Sequence, residues 1–272
     1  VEKVCVIGDM HNLWDNFREE VERLLDLLDT AFHVGDGGFG FYPRRSYMEK
    51  LIKQNEWLKK RNCVMHNIRG NHDNPNWFLP KYKMIEFFGG EDKKVPAYIK
   101  EDMYYLVDYV SPIEYTEFIT TLSNIKFVPD YAVVHEGGHN ILCIGGAITI
   151  DRIMRKMGRD YFPNEILVHK PAVLKKIRGV NIVVTHTIPD FIPPFNQDSE
   201  LIRNFAVHDK RLTDELIEER QIMTRIYNDI VANNTIDYWF YGHFHHWNNT
   251  YYKTTQFLSL PPNKAYELKN EL

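Results

Sequence analysis

Apolar positions along the chain fall into short blocks, and the first 73 residues repeat one arrangement of them three times. Residues 3–7, 31–34 and 62–68 are β-rich runs built around Val, Ile, Phe and Met. Between the first two, residues 13–28 carry Phe17, Val21, Leu24, Leu25 and Leu28 at the i, i+3, i+4 spacing that gives a helix one buried face. Residues 45–60 read as a second amphipathic helix. Strands alternating with helices predict βαβ units, and therefore parallel strands joined by right-handed crossovers.

The pattern changes after Asp73. An aromatic-rich stretch interrupted by Pro75, Pro80, Gly89, Gly90 and Pro96 reads as irregular. Residues 131–135 and 140–144 flank "EGGH" and predict a hairpin. Residues 180–185 form another apolar strand, and 236–241 and 256–260 are the last clear ones. Residues 198–233 are the longest helical region, expected to form two helices. The simplest organisation is one domain over residues 1–272, with insertions near 74–130 and 189–235.

Composition adds exclusions. Apolar residues at 44% and charged residues at 26% describe a globular chain with a sizeable core. A net charge of -4 and a pI near 6.3 give no support to a generally basic nucleic-acid surface. No apolar stretch approaches the roughly 20 residues that span a bilayer, and no signal peptide is expected. Cys5, Cys63 and Cys143 lie in apolar runs without CxxC spacing, so buried free thiols in a reducing cytoplasm are expected.

Five segments place Asp, Asn or His directly after an apolar strand: "VIGDMHN" (Asp9, His11), "HVGDGG" (Asp36), "IRGNHD" (Asn71, His72, Asp73), "VVTHT" (His186) and "FYGHFHH" (His243, His245, His246). Loops at the carboxyl ends of parallel strands converge on one edge, where ligands bind. A glycine before the candidate ligand permits a sharp turn and close approach. Taken singly, Asp9 reads as a helix cap, Asp36 as a turn residue and His186 as a structural histidine. Their joint occurrence points instead to metal. Imidazole with carboxylate suits a transition ion, and Asp-x-His and His-x-His each put two donors on one side of an extended segment. Asp9, His11, Asp36, Asn71, His186, His243 and His245 are too many donors for one tetrahedral ion and suit two ions sharing a carboxylate.

The order GD-x-H, GD, GNHD, H, GH-x-H resembles the calcineurin-like metallophosphoesterase superfamily, from the first strand to past His246. The resemblance implies an α/β fold, a four-layer α-β-β-α sandwich with two mixed β-sheets flanked by helices. It further implies that Asp9, His11 and His245 hold one divalent metal, that Asn71, His186 and His243 hold a second, and that Asp36 bridges both. Manganese is the first choice, with iron, zinc, nickel or cobalt compatible. His72 matches the catalytic histidine that is not a ligand, and Asp73 is expected to orient it. The implied reaction is hydrolysis of a phosphomonoester or phosphodiester by a metal-bridging hydroxide, with His72 serving the leaving oxygen. Serine/threonine phosphoprotein phosphatases carry a different second motif and GNHE, so "GDGGFGF" and "GNHD" disfavour that branch.

Small bacterial and phage members also resemble "CIGGAITIDR", residues 143–152, and there the loop after this strand borders the site. Asp151 and Arg152 therefore either contact substrate or form a surface pair. Arg69 either contacts phosphate or makes a salt bridge beneath the site, and His246 meets substrate or solvent at the rim. Trp77, Phe78, Tyr161 and Phe162 either stack on a base or pack the insertions. A nucleotide or nucleic-acid end is the favoured substrate by analogy, in the cytoplasm of a bacterial or phage-infected cell. No membrane partner is expected, and the oligomeric state is open. The competing readings are a catalytically silent interaction scaffold of the same fold, a nuclease acting on polymeric DNA or RNA, and a binuclear oxidoreductase.

Overall fold

The computed structural model describes residues 3–24, 29–41, 45–78, 121–193 and 200–268. In chain order its strands are β1 (Val4–Ile7), β2 (Thr30–His33), β3 (Val64–Asn67), β4 (Ile125–Phe127), β5 (Ala132–Glu136), β6 (His139–Ile144), β7 (Ile182–Thr185), β8 (Tyr238–Tyr241), β9 (Asn248–Tyr252), β10 (Thr255–Ser259) and β11 (Ala265–Glu267). Its helices are α1 (Trp14–Leu24), α2 (Arg45–Lys60), α3 (Pro171–Leu174), α4 (Glu200–Ala206) and α5 (Leu212–Val231).

The strands form two mixed sheets. The first has five strands in the order β11-β1-β2-β3-β4, and the second has six in the order β5-β6-β7-β8-β10-β9. Strands β1 to β4 run parallel with β11 antiparallel at the edge. In the second sheet β6, β7, β8 and β10 are parallel, with antiparallel β5 and β9 on the two edges. The predicted hairpin is present: Glu136 faces His139 across Gly137 (φ 57°) and Gly138 (φ 82°). Positive φ at both turn residues matches the twist of the flanking strands and is inexpensive for glycine.

Period-two alternation divides each strand between two cores. Val4 and Val6 of β1 and Phe32 of β2 meet Ile141, Cys143, Ile182, Val184, Phe240 and Leu258 between the sheets. The alternate residues Cys5, Ile7, Ala31 and Met65 face outward onto Trp14, Leu51 and Leu58 of α1 and α2. On the far side Leu142, Val183, Trp239 and Phe257 pack on Met223, Ile226, Tyr227 and Ile230 of α5. The result is the four-layer α-β-β-α sandwich that the resemblance implied.

Several expectations need adjustment. Trp77, Phe78 and Phe162 are buried and pack the core, while Tyr161 is half-buried and hydrogen-bonds Arg152. The side chains of Phe17, Val21 and Leu24, residues 25–28 and the breakers Pro80, Gly89, Gly90 and Pro96 lie outside the described residues. All three cysteines are buried free thiols. No helix among the described residues is long and apolar enough to cross a membrane.

Candidate metal centre

The carboxyl ends of β1, β2, β3, β7 and β8 lead into loops carrying Asp9, Asp36, Asn71, His186 and His243. Backbone bonds tie these loops together: the N–H of His11 donates to Asp36 O (2.7 Å), and that of His243 to an Asp9 carboxylate oxygen (3.0 Å). The donors do not converge by strand alternation, as the Asp-x-His and His-x-His spacings suggested. His11, Asp36, His243 and His245 all adopt positive φ (45°, 60°, 67° and 56°), so tight left-handed turns aim them. A β-carbon on Gly70 would lie 2.0 Å from Asp36 Oδ1, and one on Gly242 would lie 2.0 Å from Asp9 Oδ1. Only glycine leaves these two carboxylates room.

One ligand cluster is compact. Donor atoms of Asp9, His11, Asp36 and His245 all lie within 4.8 Å of one another. His11 Nε2 and His245 Nε2 are 2.9 Å apart, and His245 Nε2 is 3.1 Å from Asp9 Oδ2. Two imidazole nitrogens and two carboxylates meeting this closely, with both carboxylates buried, is an arrangement that a cation resolves. Burial opposes ionisation of Asp9, but the His245 hydrogen bond and the His186 charge hold its carboxyl below the usual range. Burial likewise opposes ionisation of Asp36, yet the His186, His72 and His11 imidazoles hold it well below that range.

A second group of donors lies on the other side of Asp36. His186 Nδ1 is 2.8 Å from the carbonyl oxygen of Val34, which can only accept, so Nδ1 carries a proton. Nε2 is thereby directed at Asn71 Oδ1 (3.1 Å) and Asp36 Oδ1 (3.2 Å). The Asn71 amide donates to Thr149 Oγ1 (3.4 Å), which leaves its oxygen toward His186. The ring of His243 stands 5.0 Å from that of His186. Burial lowers the His186 pKa, but Asp36, Asp9 and the Val34 carbonyl lift it to about 10, so positive charge is favoured at this point. Burial, with the charge of His186, instead takes His243 down to about 3 and keeps it neutral, as a ligand imidazole is.

His72 sits at the edge of the cluster with its Nδ1 4.0 Å from Asp36 Oδ2. Its ring stacks on Phe41, and Arg155 Nη2 donates to its Nε2 at 3.0 Å. Asp73 does not orient it, contrary to expectation. The buried Asp73 carboxylate accepts from the backbone N–H groups of Gly70, Asp36, Gly37 and Phe39, stapling two ligand loops together. Burial and the nearby Asp36 push its pKa up to about 7, against the N–H donors that favour the charged form.

The other arginine and acid assignments shift as well. Arg69 is buried and committed to Asp130 (2.8 Å) and to the carbonyls of Glu165 (2.5 Å) and Ile166 (3.1 Å), so it is a strut with no donor left for phosphate. Arg152 pairs with Asp209 (2.6 Å) and Glu215, anchoring the α4–α5 insertion, and it does not line the cavity over the site. Asp151 lines that cavity but pairs with Arg155 at 2.6 Å. His246 holds its own turn through Phe244 O (2.9 Å) and is absent from the cavity wall. Sequence reasoning missed Arg155, three residues past Arg152, although the same "IDRIMR" signal contains both. It also missed Glu219 of α5, a buried cavity residue whose Oε2 has no partner among the described residues. Burial pushes its carboxyl up to about 7, and a mid-helix glutamate gives no sequence signal for such a place.

The chain matches the family model described as calcineurin-like phosphoesterase over residues 2–247. No curated protein matches it. Among solved structures it is similar to a hypothetical protein from Pyrococcus horikoshii (12% identity, TM-score 0.43, covering 96% of this chain and 77% of that one). It is also similar to the phosphopantetheinyl hydrolase of Mycobacterium tuberculosis (16%, 0.44, 96% and 90%). A third is a putative 5'-nucleotidase from Staphylococcus aureus (12%, 0.46, 99% and 51%).

Proposed function

The chain belongs to the calcineurin-like phosphoesterase family, and from that premise we propose that it is a binuclear metal-dependent hydrolase of phosphate esters. The observation that carries this reading is the compact meeting of Asp9, His11, Asp36 and His245 at the carboxyl edges of the strands. These four hold the first ion. Asn71, His186 and His243 hold the second, and Asp36 is shared, its Oδ1 facing His186 and its Oδ2 facing His11. Two bound divalent ions supply Lewis acidity toward the phosphoryl oxygens and lower the pKa of water. Manganese is the first ion to test, and the buried free thiols suit a reducing cytoplasm.

The chain's own groups do the rest. His186 keeps its proton on Nδ1 through the Val34 carbonyl, which presents the Nε2 lone pair to the ion. Asp73 fixes the backbones of Asp36 and Gly70, so the bridging carboxylate cannot drift. Arg155 is the guanidinium that takes a phosphate oxygen, which frees the His72 Nε2 lone pair to bind a proton from water and donate it to the leaving oxygen. Phe41 beneath the imidazole holds the ring in place during that exchange.

The test is hydrolysis of a chromogenic aryl phosphodiester and an aryl phosphomonoester with manganese, nickel, zinc and magnesium in parallel. Metal-dependent release in at least one arm supports the proposal. Folded, metal-loaded protein that releases nothing, and behaves as His72→Ala does, sinks it in favour of a silent scaffold.

A further inference from the structure

A cavity of about 900 Å³ opens over the candidate centre, and one continuous wall joins it to the helical insertion. At the metal end the wall is Asp36, Asn71, His72, His243 and His245. The remainder is largely aliphatic and aromatic, with Ile150, Leu201, Phe205, Leu216, Ile217 and Phe244 facing the same space. Leu201 and Ile217 are 54% and 50% exposed, so this wall leaves apolar surface in water beside the most polar part of the molecule.

The wall is also built in place. Arg152 pairs with Asp209 between α4 and α5 and with Glu215 in the first turn of α5. It thereby ties the connection between the two helices and the start of α5 to the segment that carries Arg155. Of the other charged wall residues, Arg220 donates to the carbonyls of Pro189, Asp190 and Ile192 and Asp190 accepts from Thr224, while Glu219 keeps an Oε2 without a partner among the described residues. Of the four aromatic residues that the sequence offered for base stacking, Trp77, Phe78 and Phe162 are buried in the core, and Tyr161 is half-buried and hydrogen-bonds Arg152, with none of the four in the cavity wall. A nucleobase needs hydrogen-bonding edges and stacking platforms, and this wall is poor in the former.

We propose that the cavity selects phosphate esters whose organic group is apolar, an alkyl or aryl chain lying along α4 and α5 with its phosphate at His72 and Arg155. This rests on the phosphoesterase reading and narrows its substrate class away from nucleotides. Burying each methylene of such a chain contributes up to about fourfold in affinity until the wall is filled.

The experiment is calorimetric binding of alkylphosphonates, from methyl to octyl, to the manganese-loaded full chain, with adenosine and thymidine monophosphates as comparators. Affinity should rise with chain length, by up to about fourfold per methylene, with an increasingly negative heat-capacity change. Ile217→Asp and Leu201→Asp should each flatten that slope, read as the octyl-to-methyl ratio within each variant. A flat series in the unsubstituted protein, no binding of any phosphonate, or tighter binding of either nucleotide than of octylphosphonate overturns the proposal. The two readings fail separately. A chain-length slope in protein that hydrolyses no ester supports the pocket and removes the enzyme, whereas turnover with a flat series removes the pocket alone.

Discussion

Arg155 Nη2 donates to His72 Nε2 at 3.0 Å, so the imidazole beside the metal centre is held as an acceptor. Burial, reinforced by the Arg155 charge, lowers the His72 pKa against the pull of Asp36, which matches a neutral ring. A bound phosphate competes for that guanidinium. Arg155→Ala is therefore expected to lower kcat/KM about 10- to 100-fold, the scale of one hydrogen bond to a charged group, with metal content unchanged. Lysine should restore part of it, lacking the planar fork. His72→Ala should lower kcat by about 10²–10⁴-fold and keep its metal. Metal analysis of each variant is the check, and metal lost from His72→Ala would make that residue a ligand.

Arg69 predicts the opposite behaviour. Removing its guanidinium strands Asp130 and the carbonyls of Glu165 and Ile166. Arg69→Ala should cost about 3–5 kcal/mol in urea unfolding, the scale for one partner lost from a buried pair. A stable Arg69→Ala protein with a raised KM would restore the phosphate-contact role.

Gly70 and Gly242 predict a metal phenotype from residues that touch no metal. A methyl at either position would sit 2.0 Å from a carboxylate oxygen of Asp36 or Asp9. Gly70→Ala and Gly242→Ala should weaken manganese binding by roughly 10–100-fold, as displaced supporting contacts do. Equilibrium dialysis reads this, and unaltered affinity would show that the loops yield without moving the ligands.

How much of this was legible follows from where the information lay. Strands β1, β7 and β8 are apolar blocks, and every candidate ligand follows such a block, so the fold class was legible there together with the candidate cluster of Asp9, His11, Asp36 and His245. Strands β4, β9 and β11 are edge or near-edge strands of sequence IKF, NNTYY and AYE, too short or too polar to register. Roles that depend on direction were not legible. Asp73 adjoins His72 in sequence, but its carboxylate turns to four backbone N–H groups. Arg152 and Arg155 are three residues apart, and only the phase of the intervening 3₁₀ turn decides which meets His72. Arg69 precedes a ligand, yet its side chain runs under the site to Asp130.

Glu165 carries a pH prediction. It is 1% exposed, its Oε1 accepts from Thr149 N at 2.7 Å, and burial pushes its pKa up to about 8. An unfolded glutamate titrates near about 4.3, so between these values the native state keeps a proton that the unfolded state releases. Its contribution to stability is complete below the lower value and is lost as pH rises to about 8. Glu165→Gln should therefore lose less stability than the unsubstituted protein between about pH 5 and 8, measured as urea midpoints. Identical pH dependence in the two proteins would mean that Glu165 is ionised throughout.

The proposed sharing of the Asp36 carboxylate between two ions is tested most directly by one measurement: bound manganese per chain, followed together with phosphodiester turnover, in the unsubstituted protein and in Asp36→Asn. Turnover should rise with manganese and level off at two ions per chain. Asp36→Asn should bind both ions more weakly and lose turnover with them. Two ions held at full affinity by Asp36→Asn, or a saturation at one ion with full turnover, would contradict the binuclear centre.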